Sequence, residues 1–384
     1  MRNVNTLALC VIVLASMMLS NAQTTLRERV ARLPVSFGEN TTIPWSSGRS
    51  WVNLGIQEHV GYRHLTRANP GGLSSDTLLL PGRRIAINHL SNGVVLNLPE
   101  LMLYHWTKNR VTAHYPVSIG QITERWHTPV GRLQVNTKVV DPAWHRPSWA
   151  GGDVEPPGPN NPLGDRWIGL NRPGYGIHGT NNPRTIGRTV SHGCIRLFPP
   201  HIRELYTNVA IGDTVLITYE TVAIGQADGV VYMAVFPDIY RRAANDVTRV
   251  QRRLHGFGLA DVLTRQELTQ AVRSADGIAR PILGSHSAMK VNGTPVSGDI
   301  GPTLRGGRSY LPARQLAGYL HASVHWDAGV ETVYLTRDSR EVAVTNGKEA
   351  FIALNALFVP VRQVTEELGG SVMFSPGGIR LTTP

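Results

Sequence analysis

The chain has 384 residues, with 38 Lys and Arg against 27 Asp and Glu, and two cysteines. At roughly 150 residues per domain, that length predicts two or three domains. A charged fraction of 17% excludes a charged disordered chain, two cysteines exclude a disulfide framework, and 39 Gly with 25 Pro point away from a helical bundle. The net charge of +11 favours an anionic partner.

Arg2, an apolar run from Leu7 to Leu19 and then Ser20-Asn21-Ala22 predict a secretory signal peptide over residues 1–22. The run is shorter than the about 20 residues that span a bilayer, so an anchor is the weaker reading and any membrane association is peripheral at most. Leu9 is not small and the apolar run continues past Cys10, so Cys10 is no lipoprotein site. Export argues against nucleic acid as the partner and points the positive charge at an anionic wall. It also leaves Cys194 as the one thiol of the exported chain.

Residues 23–88 predict a small α/β unit. Leu54, Ile56, Val60 and Leu65 can line short helices, and Pro81-Gly82-Arg83-Arg84-Ile85-Ala86-Ile87 reads as a turn entering a strand. Residues 89–219 read as strands at 94–98, 102–106, 110–119, 131–135 and 167–170, a short helix at 200–209 and a closing strand at 213–219. Between them, residues 141–166 are rich in Pro, Gly, Asn and Trp, the length and composition of a functional lid. Residues 220–285 are expected to be a helical linker, from Arg241, Arg242, Arg252 and Arg253 with Val and Leu at helical spacing. Finally, Tyr310-Leu311-Pro312-Ala313-Arg314-Gln315-Leu316 recurs 48 residues later as Phe358-Val359-Pro360-Val361-Arg362-Gln363-Val364. This predicts a duplicated strand-helix-strand module over 286–384, folded independently and without chemistry of its own. The fold class is thus mainly β or α+β.

Chemistry concentrates in Ile177-His178-Gly179-Thr180 and Ser191-His192-Gly193-Cys194-Ile195-Arg196-Leu197. A thiol with an ordinary pKa of about 8.5 must lose its proton to attack a carbonyl. A neighbouring imidazole can take that proton and return it to a leaving amine. Gly193 permits an unusual turn that aims backbone N–H groups at an oxyanion. Arg196, two residues beyond Cys194, faces the same side of a strand and can hold a carboxylate. Zinc would need a poorly spaced set of His192, Cys194 and a distant His178 or His201, with one sulfur, so no metal is expected.

These two motifs, twelve residues apart, resemble the signature of L,D-transpeptidases with a YkuD-type catalytic domain. Pro116-Val117-Ser118-Ile119-Gly120, Thr128-Pro129-Val130-Gly131 and Asn161-Pro162-Leu163-Gly164 extend the resemblance over residues 92–219. It implies a sandwich-like β fold and a secreted enzyme of the bacterial periplasm or cell wall that joins peptidoglycan stem peptides. Cys194 would be the nucleophile. His178 would be base and acid, oriented by a carbonyl around Gly179. His192 with the backbone of Gly193 and Cys194 would line the oxyanion site. Arg196 and Tyr175, with Ser191 and Gly179 in the same set, would hold the donor stem. Carbapenems would acylate Cys194, and no cofactor is implied. The alternatives are an L,D-carboxypeptidase and a silent wall-binding protein. Residues 48–87 resemble a degenerate LysM glycan-binding module. The C-terminal repeat resembles the copper amine oxidase N-terminal (stalk) domain, but the oxidase's cofactor motif is absent and no copper is implied.

Overall fold

The computed structural model describes residues 24–383 apart from 34, 38–40, 47–48, 74–76, 81–83, 87–89, 244, 299 and 376–377. The predicted signal peptide and the Pro81-Gly82-Arg83 turn lie outside the described residues. None of the described helices is long and apolar enough to cross a membrane.

An eight-stranded mixed sheet carries the site. Its order is Ile195–Arg196, Gly176–His178, Arg166–Leu170, Gly131–Val140, Thr214–Thr218, Gly93–Asn97, Met102–Thr107 and Arg110–Pro116. The ten-residue strand Gly131–Val140 joins two halves. Residues 131–134 pair with 214–217, and residues 135–140 pair with 166–170 across a register shift at Gly169/Leu170. Alternation puts Val94, Leu96, Leu103 and Tyr115 of one half and Val135, Ile168, Ile177 and Ile195 of the other into one core. This is the sandwich-like arrangement expected. Helix Pro199–Asn208 closes that core with Ile202 and Leu205, and its Pro at the first turn is pre-set for helix entry. Ile239 and Tyr240 belong to the same core, so the catalytic unit runs beyond the expected end at residue 219.

Two of the expected boundaries need correction. Within residues 23–88, the strands Thr41–Pro44 and Thr77–Leu80 pair antiparallel around helices Trp51–Gln57 and Tyr62–Ala68, over a small core of Trp45, Leu54, Val60, Leu65 and Leu78. Helix Leu26–Ala31 is not part of this unit. It has a Thr25/Glu28 capping box and packs Leu26 and Val30 elsewhere. The backbone strands Val35–Phe37 and Arg84–Ala86 also join a different sheet, with Val222–Ala227, Val230–Val235 and Arg280–Leu283. Residues 220–285 are therefore not a helical linker. The two amphipathic helices exist, Val247–Gly256 and Arg265–Ser274, but strands flank them. Their apolar faces were legible, while β-branched Val222, Ile224, Val230 and Val231 were the overlooked strand signal.

The C-terminal repeat folds as read: strand Arg308–Pro312 with helix Ala313–Leu320 and strand Ser323–Asp327, then Ala356–Pro360, Val361–Glu367 and Ser371–Ser375. The two copies pair through their first strands, with Tyr310 opposite Pro360, Leu311 opposite Val359 and Pro312 opposite Phe358. The pairing is symmetric about the midpoint between Leu311 and Val359, which are equivalent in the two copies. Yet the module is not separate. Tyr310, Phe351, Leu354 and Phe358 share one core with Leu26, Val30, Val222, Met233, Val250, Leu254 and Leu268. A cut near Gly284 would divide that core, while a second core of Leu311, Leu316, Leu335, Val344, Val359 and Val364 lies wholly within the module.

Candidate active site

Cys194 and His178 come together through two parallel strands. Ile177 is in register with Ile195, and His178 with Arg196. Ile177 and Ile195 point into the core, so Cys194, Arg196 and His178 project from the opposite face. Cys194 precedes the strand Ile195–Arg196, and ideal spacings of about 4.8 Å across and about 6.6 Å along correspond to Cα atoms about 8 Å apart, a gap two side chains can span.

His178 is 2% exposed and stacks on Trp167, with ring centroids 5.7 Å apart. Burial first, and the nearby Arg196 second, lower its pKa to about 3. The carbonyls of Gly179 and Leu163 oppose that shift. They act by proximity rather than through a well-formed bond, because Nδ1 has no partner at hydrogen-bonding geometry. The ring is therefore neutral near pH 7 and able to accept a proton. Burial also pushes the Cys194 thiol up, while the Gly176 N–H and Arg196 pull it down. The Cys194 Sγ–H points to the Gly174 carbonyl at 3.4 Å. The resting pair is thus a thiol beside a neutral imidazole, and the proton moves during attack. Arg196 is half-buried, its Nε has no hydrogen-bond partner, and no ion pair holds it among the described residues.

The turn before the nucleophile is fixed tightly. Gly193 has φ +111°, and a Cβ there would lie 2.7 Å from Tyr175 Cε1, so both backbone and space require glycine. The Gly193 N–H donates to Ser191 Oγ (3.1 Å), and Ser191 Oγ–H donates to the Cys194 carbonyl (2.5 Å). Two expected roles change here. Ser191, 1% exposed, braces the turn instead of touching substrate. The Gly193 N–H, expected at the oxyanion site, is already used by Ser191 Oγ. The Cys194 N–H makes no hydrogen bond among the described residues. Gly179 is buried against Leu163 and Gly164, so it is packing rather than a substrate contact.

His192 is exposed and packs against Trp126 (4.6 Å, edge-on) and Trp149 (4.5 Å). Trp149 belongs to the 141–166 loop, which is ordered from within. Buried Asn161 donates to the Pro142, Glu155 and Pro156 carbonyls, and Arg146 pairs with Glu155. Tyr175 lies against Gly193, with Arg172 over its ring at 5.0 Å.

Sequence reasoning missed Thr128 and Tyr240. Thr128 Oγ1–H donates to the Gly193 carbonyl (2.9 Å) and accepts from the Gly120 N–H (2.9 Å). Tyr240 Oη accepts from the Thr128 N–H (3.1 Å) and donates to the Gly120 carbonyl (3.0 Å). Thr128 was legible only as part of a Thr-Pro break, and nothing near Tyr240 signals its partner 112 residues away. Among the described residues no group of His, Cys, Asp and Glu is arranged to hold a metal ion.

Residues 91–217 match the YkuD L,D-transpeptidase catalytic domain, and residues 290–356 match the copper amine oxidase N-terminal domain. The chain is 36% identical over 126 residues to the Bacillus subtilis L,D-transpeptidase YqjB, covering 30% of this chain and 68% of that protein. It is 32% identical over 215 residues to Escherichia coli YbiS, covering 50% of this chain and 68% of that one. This chain belongs to the L,D-transpeptidase family. Among solved L,D-transpeptidases, the Enterococcus faecium catalytic domain acylated by ertapenem is 22% identical over 34% of this chain and 100% of that one, at a TM-score of 0.28. L,D-transpeptidase 3 of Mycobacterium tuberculosis, carrying a faropenem-derived adduct, is 15% identical over 49% of this chain and 95% of that one, at 0.29. A longer Enterococcus faecium L,D-transpeptidase structure is matched over 49% of its own length. The YkuD catalytic-domain match ends at residue 217, and Tyr240 lies beyond it.

Proposed function

We propose that this L,D-transpeptidase cross-links peptidoglycan stem peptides outside the cytoplasmic membrane through a thioester on Cys194. The observation that carries the reading is the pairing of His178 with Arg196 on two parallel strands, one of them entered directly from Cys194, with no ion pair to Arg196 among the described residues. Arg196 holds a carboxylate of the donor stem. Neutral His178 takes the thiol proton as sulfur attacks the stem carbonyl. The tetrahedral oxyanion lies against the Cys194 N–H. The C–N bond to the terminal D-alanine breaks, and that amine leaves with the proton from His178. An amine of a second stem then attacks the thioester carbonyl and gives its proton back through His178 to the departing sulfur. His192, held by Trp126 and Trp149, lines the groove shaped by residues 141–166, where the acceptor enters.

In this reading residues 1–22 direct export, and the 41–80 unit is the LysM-like part that meets glycan. That unit is docked. The Tyr62 N–H donates to the Ile186 carbonyl (3.2 Å), His64 Nε2–H to the Glu100 carbonyl (2.5 Å) and His59 Nδ1–H to the His114 carbonyl (2.7 Å). Mass spectrometry of products from purified tetrapeptide stems tests the proposal. Cross-linked dimers that vanish in Cys194→Ala support it, and tripeptides alone would mean that water resolves the thioester. An adduct of a carbapenem that survives in Cys194→Ala would remove Cys194 from the mechanism.

A further inference from the structure

We propose that Thr128 and Tyr240 are positioning residues that aim the Cys194 N–H at the oxyanion of the acyl-transfer step. The inference rests on the reading of Cys194 given above. The Gly193–Cys194 peptide is trans and planar, so its carbonyl and its N–H point in opposite directions. Thr128 Oγ1–H anchors that carbonyl on the buried side, at 2.9 Å. The N–H on the other side is thereby turned away from the scaffold, and it has no partner among the described residues. The positive φ of Gly193 is what allows the plane to adopt this orientation.

Thr128 is itself held by a closed cycle. The Gly120 N–H donates to Thr128 Oγ1, the Thr128 N–H donates to Tyr240 Oη, and Tyr240 Oη–H returns to the Gly120 carbonyl. A hydroxyl that both accepts and donates is required at Tyr240, and phenylalanine would leave a buried N–H and a buried carbonyl unpaired. The Tyr240 ring stacks on His127 at 3.8 Å and 11°, which fixes the hydroxyl. Its own backbone is fixed in turn: the Tyr240 N–H donates to Tyr219 Oη (2.8 Å), and Tyr219 Oη–H donates to Asp238 (2.5 Å). The chain of bonds runs from Asp238, beyond residues 91–217 that match the catalytic domain, to the peptide beside the nucleophile. An oxyanion donor acts through its orientation before the charge develops, so groups that fix the orientation matter without touching substrate.

The test compares two reactions of Cys194 in the full chain. Carbapenem acylation forms an S–C bond, breaks the lactam C–N bond and passes through an oxyanion. Alkylation by iodoacetamide displaces iodide and builds no oxyanion. We expect Tyr240→Phe and Thr128→Val to slow acylation about tenfold or more while alkylation stays within about twofold, and Thr128→Ser to restore acylation. Acylation and alkylation that fall together, or acylation unchanged in both variants, would overturn the inference. Should Thr128→Val lose its fold by thermal melting, Tyr240→Phe carries the test, because it keeps the stacked ring. A wild-type chain that is alkylated at Cys194 but never acylated would instead overturn the reading of the site, and this inference with it.

Discussion

The sheet that carries Cys194 takes its core from one stretch, Val94 to Ile217, joined by Ile239 and Tyr240. The core beneath the C-terminal repeat takes Leu26 and Val30 from the first described helix, Val222 to Leu283 from the middle, and Tyr310 to Phe358 from the repeat itself. The first can be found by a motif, because its chemistry and its packing lie in the same segment. The second cannot, because its apolar side chains come from three segments far apart in the chain. Two regions of similar size thus differ in how far sequence proximity reports spatial proximity. Even the first region borrows from its neighbour at Tyr240.

The comparison can be broken first at the chemistry. Cys194→Ala should abolish carbapenem acylation, and His178→Ala should slow it by roughly 10²–10⁴-fold, both read by intact-protein mass spectrometry against time. Neither should change the melting of the C-terminal assembly. Next comes the shared core: Phe358→Ala should cost about 3–5 kcal/mol of stability there. Calorimetry should show that loss in one transition, with Cys194 acylation preserved below it. A fall of acylation in step with Phe358→Ala melting would make the two cores a single cooperative unit.

A third test uses protons. Burial lowers the His64 and His201 pKa values to about 4 each, and carbonyls of Glu100 and Ile56 oppose this. Arg67 adds to the shift in His64, and His59, stacked at 4.4 Å, adds to it in His201. His64 Nδ1 accepts from the Gly61 N–H, a bond that protonation destroys. These groups bind fewer protons when the 41–80 unit is docked, so their contribution is full above about pH 6.5 and lost as pH falls toward about 4. Hydrogen exchange in helices 51–57 and 62–68 should accelerate over that window, for a loss of about 1–3 kcal/mol per histidine. Exchange that is flat from pH 7 to 4 would remove the histidines from the docking. The smallest effect is expected at Trp149→Ala, which removes contacts with Trp126 and His192 worth about 0.5–1.5 kcal/mol. Limited proteolysis within residues 141–166 should quicken, with alkylation of Cys194 unchanged. No change in cleavage would mean that Asn161 and the Arg146–Glu155 pair hold the loop unaided.

Much of the catalytic sheet was legible. Val94 to Leu98, Met102 to Trp106 and Thr214 to Thr218 alternate or run apolar between clear turn signals, and the two motifs lie on the paired strands that set His178 beside Arg196. The repeat was legible because each copy carries its Pro at the helix entry. The roles of Ser191 and of the Gly193 N–H were not, since a hydroxyl two residues away can serve substrate or backbone equally, and only geometry decides. Thr128 and Tyr240 act across 65 and 112 residues, beyond any local pattern. The split of residues 23–88 was hidden for the same reason, as the partner of strand 35–37 is at residue 226.

That last pairing bears on how the molecule assembles in time. Ser36 lies beside Gln226, and Val94 beside Val215, in parallel registers. Neither contact can form until more than half of the chain has left the ribosome or crossed a membrane. Closing such long loops precedes any reward from the contacts they bring, so folding should be slow for its size. While it waits, helix Leu26–Ala31 keeps an apolar face with nothing to cover it. That face finds shelter only when the later strands arrive, and until then it leaves the nascent chain open to aggregation or to capture by chaperones.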